Sequence, residues 1–163
     1  MPDMLVNLYD MPKIDLDAEL AENGITIKRA MALDKCEIVE YVRTAFADIC
    51  PKWADECERA IFNSPPSCYI AVHDGEVVGF ACYDSTAPGF FGPTGVSPSM
   101  QGKGVGKALL GKCLESMKEK GYAYAIIGYV TDVFSFYEKA VNATVIEGSS
   151  TDKSIYSNLI SSV

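Results

Sequence analysis

The sequence predicts an α/β (α+β) fold, a mixed sheet with helices packed on it. Three observations carry this reading. Apolar residues alternate along some stretches and recur every four residues along others, the periods of strand and helix. Asp74-Gly75, a strong hairpin signal, separates two strand-like runs. Residues 123–130, AYAIIGYV, form the near-continuous apolar run of a strand covered on both faces. In chain order the elements read β-α-α-β-β-β-α-β-α-β-β, seven strands and four helices.

The first 24 residues read as an N-terminal extension closed by Asn23-Gly24. Residues 25–30, ITIKRA, alternate as a strand. Asp34 with Glu37 forms a capping-box pattern that opens a helix carrying Ile38, Val42 and Phe46. Pro51 suits the first turn of a second helix, with Trp53, Cys57 and Ile61 on one stripe and Asp55, Glu56 and Glu58 opposite. The 67–85 hairpin follows. Residues 90–96, FFGPTGV, read as a bulged or splayed strand, since Pro93 donates no ladder hydrogen bond. A helix spans 104–121 on Val105, Leu109, Cys113 and Met117. Asp132 is placed to cap a short helix through Phe136, Tyr137 and Lys139, and strands at 143–146 and 154–160 close the chain as a hairpin.

With 163 residues, 48% of them hydrophobic, and no repeat, low-complexity block or long linker, one domain over 1–163 is expected. No apolar run is long enough to span a bilayer, and the N-terminus lacks the basic flank and apolar block of a signal peptide. A cytoplasmic protein without a membrane partner is the expectation. The net charge of −8 argues against nucleic acid. The six cysteines lie in apolar patterns without a Cys-x-x-Cys, and His73 is the one histidine, read as exposed and idle; no metal site is expected and the thiols read as reduced and mostly buried. Lys112, Lys118 and Lys120 read as a solvated helix face.

The chemistry concentrates at 95–110, GVSPSMQGKGVGKALL. A glycine-rich turn at a helix N-terminus offers backbone N–H groups and a favourable dipole to a phosphate, and Lys103 and Lys107 add full charges. A P-loop is excluded because Gln101 stands where its first glycine belongs and Ala108 replaces the magnesium-binding Ser/Thr. A dinucleotide fingerprint fails at Lys107 in one register and Leu109 in the other. The pattern Gln/Arg-x-x-Gly-x-Gly/Ala is matched by Gln101, Gly104 and Gly106. With Val96-Ser97-Pro98 before the loop and Phe136-Tyr137-Glu138-Lys139 downstream, the chain resembles the GNAT superfamily of acyl-CoA-dependent N-acetyltransferases, in element order over about 25–160.

The resemblance implies a mostly antiparallel sheet splayed near its centre and acetyl-CoA as co-substrate. It assigns the Thr94 N–H to the thioester carbonyl and the Val96 N–H to the pantetheine. The amides of Gln101, Gly102, Lys103, Gly104, Val105 and Gly106 go to the pyrophosphate, helped by the Lys103 and Lys107 side chains. Tyr137 becomes the acid that protonates the departing thiolate. The sequence departs from the family at Val130, where asparagine is frequent, and at Ala140-Val141-Asn142-Ala143, where Gly-Phe is usual. The 90–96 strand carries no carboxylate, so the general base stays open between Asp84 and Glu56. Asp48, Asp55, Glu56 and Glu58, with Trp53, Tyr83, Phe90 and Phe91 as walls, would suit a cationic amine. The expected acceptor is a small molecule or peptide amine, a homodimer is compatible with the sequence, and a CoA-binding module without turnover is the alternative.

Overall fold

The computed structural model describes residues 1–161. Its strands are β1 (Met4–Asn7), β2 (Ile25–Arg29), β3 (Cys68–His73), β4 (Glu76–Tyr83), β5 (Phe90–Val96), β6 (Tyr124–Ile127) and β7 (Thr144–Val145). Its helices are α1 (Asp17–Glu22), α2 (Lys35–Ala45), α3 (Trp53–Ile61), α4 (Val105–Glu119) and α5 (Phe134–Val141). The strands form one sheet in the order β2-β3-β4-β5-β6-β1-β7. Every neighbouring pair is antiparallel except β5–β6. No helix among the described residues is long and apolar enough to cross a membrane.

Alternation along β4 divides the interior. Phe80 and Cys82 face a cluster with Ile38, Val42, Cys57 and Ile61 of α2 and α3, whereas Ala81 and Tyr83 join Leu109, Cys113 and Met117 of α4. Asp74 and Gly75, both at positive φ, make the β3–β4 turn.

The β5–β6 pairing fixes the architecture of the site. It consists of two rungs, Phe90 with Ile126 and Phe91 with Ile127. Beyond Phe91, Gly92 and Pro93 stand opposite the lone Cys82 between the Tyr83–Phe91 and Ala81–Thr94 pairs, a two-against-one bulge. Such bulges bend and twist a strand. From there to Val96, β5 stays paired with β4 alone, and a fork opens between β5 and β6.

Several sequence expectations are corrected. The first 24 residues are no appendage: Met4, Val6 and Leu8 alternate into the core, and β1 pairs with both β6 and β7. The same segment supplies α1, a fifth helix. Because β1 occupies the edge of β6, the closing hairpin does not form. Only Thr144–Val145 is a strand, and 154–160 contains a 3-10 turn over Ile155–Asn158. Asp34 makes no capping hydrogen bond, since a 3-10 turn over Ala32–Asp34 runs straight into α2 and denies it the extended geometry of a cap. The N-terminus of α5 falls on Val133 rather than Asp132, again without a side-chain cap, and Pro51 lies ahead of α3. His73 is half-buried and engaged, its Nδ1 3.1 Å from the Gly24 carbonyl. Of the expected solvated lysines, Lys118 and Lys120 are exposed and Lys112 is half-buried; Lys112 pairs with Asp17 (2.8 Å), Lys120, just past α4, with Asp84 (2.7 Å), and Lys118 sits over the Tyr9 ring.

Gly95 lets α2 approach the sheet. A Cβ there would lie 2.5 Å from the Phe46 ring, which packs against Phe80 at 5.5 Å and Trp53 at 5.6 Å. Gly95→Ala should therefore lower unfolding stability by about 1–3 kcal/mol, the usual cost of overpacking. Denaturant melts check this, and an unchanged midpoint would contradict the close contact.

Candidate active site

The length of β5 that pairs with β4 alone leads into the glycine loop. Thr94 is half-buried, its hydroxyl donating to the Phe80 carbonyl at 3.1 Å, and Val96 is the last residue of the strand. The Ser97 N–H bonds to the Val78 carbonyl (2.9 Å), a 3-10 turn over Pro98–Met100 follows, and Gln101 turns back so that its Nε2 donates to the Val96 carbonyl at 3.2 Å. This last contact ties the loop to the strand end. Gly102 and Gly104 take φ of +77° and +86°, a region costly for any side chain. A Cβ at Gly102 would meet open space, so conformation is what requires glycine there. At Gly104 a Cβ would also press on Leu16 at 3.3 Å.

The first rung of α4 runs from the Ala108 N–H to the Gly104 carbonyl (2.9 Å). The amides of Val105, Gly106 and Lys107 therefore precede the helical ladder and point out of its positive end. Lys103 and Lys107 are exposed beside them. The structure thus brings together Thr94, Val96, the whole of 101–107 and the mouth of the fork.

Tyr137 stands at the closed end of that fork. It is 7% exposed and packs edge-on against Phe91, the last residue of the β5–β6 pairing, at 6.4 Å. Burial pushes its phenol up to about 12, so it is protonated at neutral pH. Its hydroxyl has no hydrogen-bond partner among the described residues.

The two carboxylates differ in what holds them. Asp84, 7% exposed at its side chain, accepts the Gly89 N–H (2.8 Å) and the Lys120 ammonium (2.7 Å) and so clamps the β4–β5 turn to the end of α4. Glu56 pairs with no cation among the described residues. Its Oε1 accepts the Thr86 hydroxyl, and burial raises its carboxyl above the usual range. The remaining acids of the expected acceptor surface scatter. Glu58 is paired with Lys35 at 2.6 Å, while Asp48 and Asp55 are exposed. Tyr83, Phe90 and Phe91 are buried and belong to the core rather than to a wall. Two concavities of about 290 and 440 Å3, which share Asn63 and Lys120, lie at the other end of α4 from the loop.

Two groupings were not legible in the sequence. The thiols of Cys57, Cys68 and Cys82 converge within 4.8 Å of one another in the α2–α3 core, from a helix and two strands. Tyr156 folds back against Gly128, Tyr129 and Thr86. Neither has a local signal, because each joins residues far apart in the chain.

Residues 34–142, two thirds of the chain and spanning the fork, the loop and Tyr137, match the Acetyltransferase (GNAT) family. The chain belongs to the GNAT acetyltransferase family. Among solved structures it is similar to the glucosamine N-acetyltransferase region of a fungal multi-domain beta-N-acetylglucosaminidase, with 14% identity, a TM-score of 0.70 and coverage of 89% of this chain and 19% of that one. It is also similar to a GCN5-related N-acetyltransferase from Sphaerobacter thermophilus, with 20% identity, a TM-score of 0.65 and coverage of 89% and 48%. A GNAT family acetyltransferase from Brucella melitensis, solved in complex with acetyl-CoA, has 20% identity, a TM-score of 0.57 and coverage of 75% and 86%. The chain thus spans less than half of the first two, and at these identities the likeness is one of fold. No curated protein matches it.

The clamp at Asp84 has a measurable weight. Asp84→Ala removes the acceptor of the Gly89 N–H and the partner of Lys120, and should cost about 1–3 kcal/mol of unfolding stability. An unaltered denaturation curve would show that the clamp holds nothing.

Proposed function

We propose that this chain is a single N-acetyltransferase domain that moves an acetyl group from acetyl-CoA to a primary amine of a small molecule or peptide, directly and within a ternary complex. The observation that carries the reading is the fork between β5 and β6, which opens beside free amides at the start of α4. The amides of 101–106, with Lys103 and Lys107, hold the pyrophosphate at the positive end of the helix. The Val96 N–H pairs with the pantetheine along the β6-facing edge of β5. Bound acetyl-CoA supplies an activated acyl group, and its presence in the Brucella melitensis relative supports the assignment.

The Thr94 N–H donates to the thioester carbonyl oxygen, where negative charge grows as the amine nitrogen bonds to the carbonyl carbon. Tyr137 gives its proton to the sulfur as the carbon–sulfur bond breaks. Glu56 takes the proton that the amine loses. Of the two carboxylates considered, Glu56 suits this role, because Asp84 is committed to Lys120 and Gly89. The lack of a carboxylate on β5 favours one other reading, a CoA-binding module without turnover. Calorimetry with acetyl-CoA followed by thiol release with an amine panel separates them, since binding without release for any amine would select the module.

Two variants test the roles. Tyr137→Phe should leave acetyl-CoA affinity within a factor of about two and lower kcat by about 10²-fold, the scale of one acid catalyst; an unchanged kcat would remove the acid role. For Glu56 the sign follows from its function, because a base works deprotonated. Turnover should rise with pH through its raised pKa, so the acid limb of kcat/KM should lie above the ordinary glutamate value of about 4.3. In Glu56→Gln that limb should vanish and the residual rate should be low. A limb that persists in the variant would assign the base elsewhere.

A further inference from the structure

The segment that carries Tyr156 crosses the fork and is tied down at both ends. On one side, Ser154 donates to the Asp3 carboxylate (2.9 Å), which also accepts the Tyr129 N–H (2.9 Å), and the Asp3 N–H donates to Ser149 (2.8 Å). On the other, the Lys52 ammonium just ahead of α3 donates to the carbonyl and hydroxyl of Ser161 at 3.0 and 3.2 Å. Between these ties the Tyr156 ring meets Tyr129 edge-on at 5.4 Å. Its hydroxyl reaches the backbone of Gly128 so closely that a Cβ there would collide with it. Gly128 directly follows Ile127, the last residue of β6 paired with β5, so the hydroxyl stands at the apex of the fork. Thr86, whose hydroxyl donates to Glu56, lies beside it, and the Tyr156 hydroxyl sits within the fields of the Glu56 and Asp3 carboxylates.

From this geometry we infer that Tyr156 is the specificity-determining residue for the acceptor, its hydroxyl filling the place beside Gly128 that the incoming amine must take. The inference rests on the acetyl-transfer reading given above. A neutral O–H donor beside Thr86, which is itself bonded to Glu56, occupies the position in which the proposed base would deprotonate an amine. An amine therefore competes with the phenol and must fit under the segment that bears it. Only slender amines pass while the ring is present.

The experiment compares wild type with Tyr156→Ala on ethylamine, 1,4-diaminobutane and phenethylamine, with thiol release for rates and calorimetry for acetyl-CoA. Removal of the ring should raise kcat/KM for phenethylamine relative to ethylamine by roughly tenfold or more, the scale on which pockets discriminate by shape. The change should fall on the acceptor KM, with acetyl-CoA affinity unchanged. Tyr156→Phe, which keeps the ring and vacates only the hydroxyl's place beside Gly128, should still disfavour phenethylamine while lowering the KM for ethylamine. If Tyr156→Ala melts near the assay temperature, Tyr156→Leu replaces it. The same acceptor profile in wild type and variant, including no turnover in both, overturns the inference while leaving acetyl-CoA binding intact. Failure of wild type to bind acetyl-CoA overturns the acetyl-transfer reading itself, and the role of Tyr156 with it.

Discussion

Everything at the site depends on how briefly β5 and β6 pair. Two parallel rungs hold them together, and the bulge at Gly92-Pro93 then bends β5 away while its other edge stays bonded to β4. A fully paired β5 would bury its amides in a ladder and leave no slot. A strand free on both sides would have nothing to hold it straight. The half-paired state leaves backbone donors accessible on a rigid element, the condition under which hydrogen bonds can be aimed at a reacting group without reorganising.

The fork is also where the molecule's charges are sorted. At its open end the start of α4 presents amides ahead of the helical ladder, with two exposed lysines beside them, a surface for anions. At its closed end the environment is apolar on one side, where Phe91 meets Tyr137, and acidic on the other, where Glu56 and Asp3 flank Tyr156. Burial acts on both proton-bearing groups in the same direction and, in the proposed mechanism, serves opposite roles. It keeps Tyr137 protonated and makes Glu56 a stronger base than a solvated carboxylate. Asp84, more deeply buried than Glu56, is paired with Lys120 and turned to structural use, which is why the two acids are not interchangeable.

Sequence reasoning reached furthest where a local pattern has a local cause. Gln101 and Ala108 excluded a P-loop and Lys107 and Leu109 a dinucleotide fingerprint by position alone, and Pro93 announced an irregular strand because it lacks an N–H. It failed at helix starts, where Asp34 and Asp132 carry the right side chains but the backbone enters by another route. It failed again with Met4, Val6 and Leu8, an alternation too short to stand out beside the polar residues that follow. The expected closing hairpin fails with it, since the edge of β6 is filled by β1 from the other end of the chain.

By itself the sequence determined the identity of the loop, the periodicity of the long elements and the family to which they belong. These are properties of neighbours along the chain, fixed by φ preferences, missing donors and side-chain period. Only the tertiary structure decided that β1 completes the sheet, that Asp84 is clamped while Glu56 is not, and that Tyr156 returns to the apex of the fork. Each of those depends on contacts between residues distant in sequence. Such contacts are set by which edges and cavities remain open once the sheet has formed, and no local pattern records them.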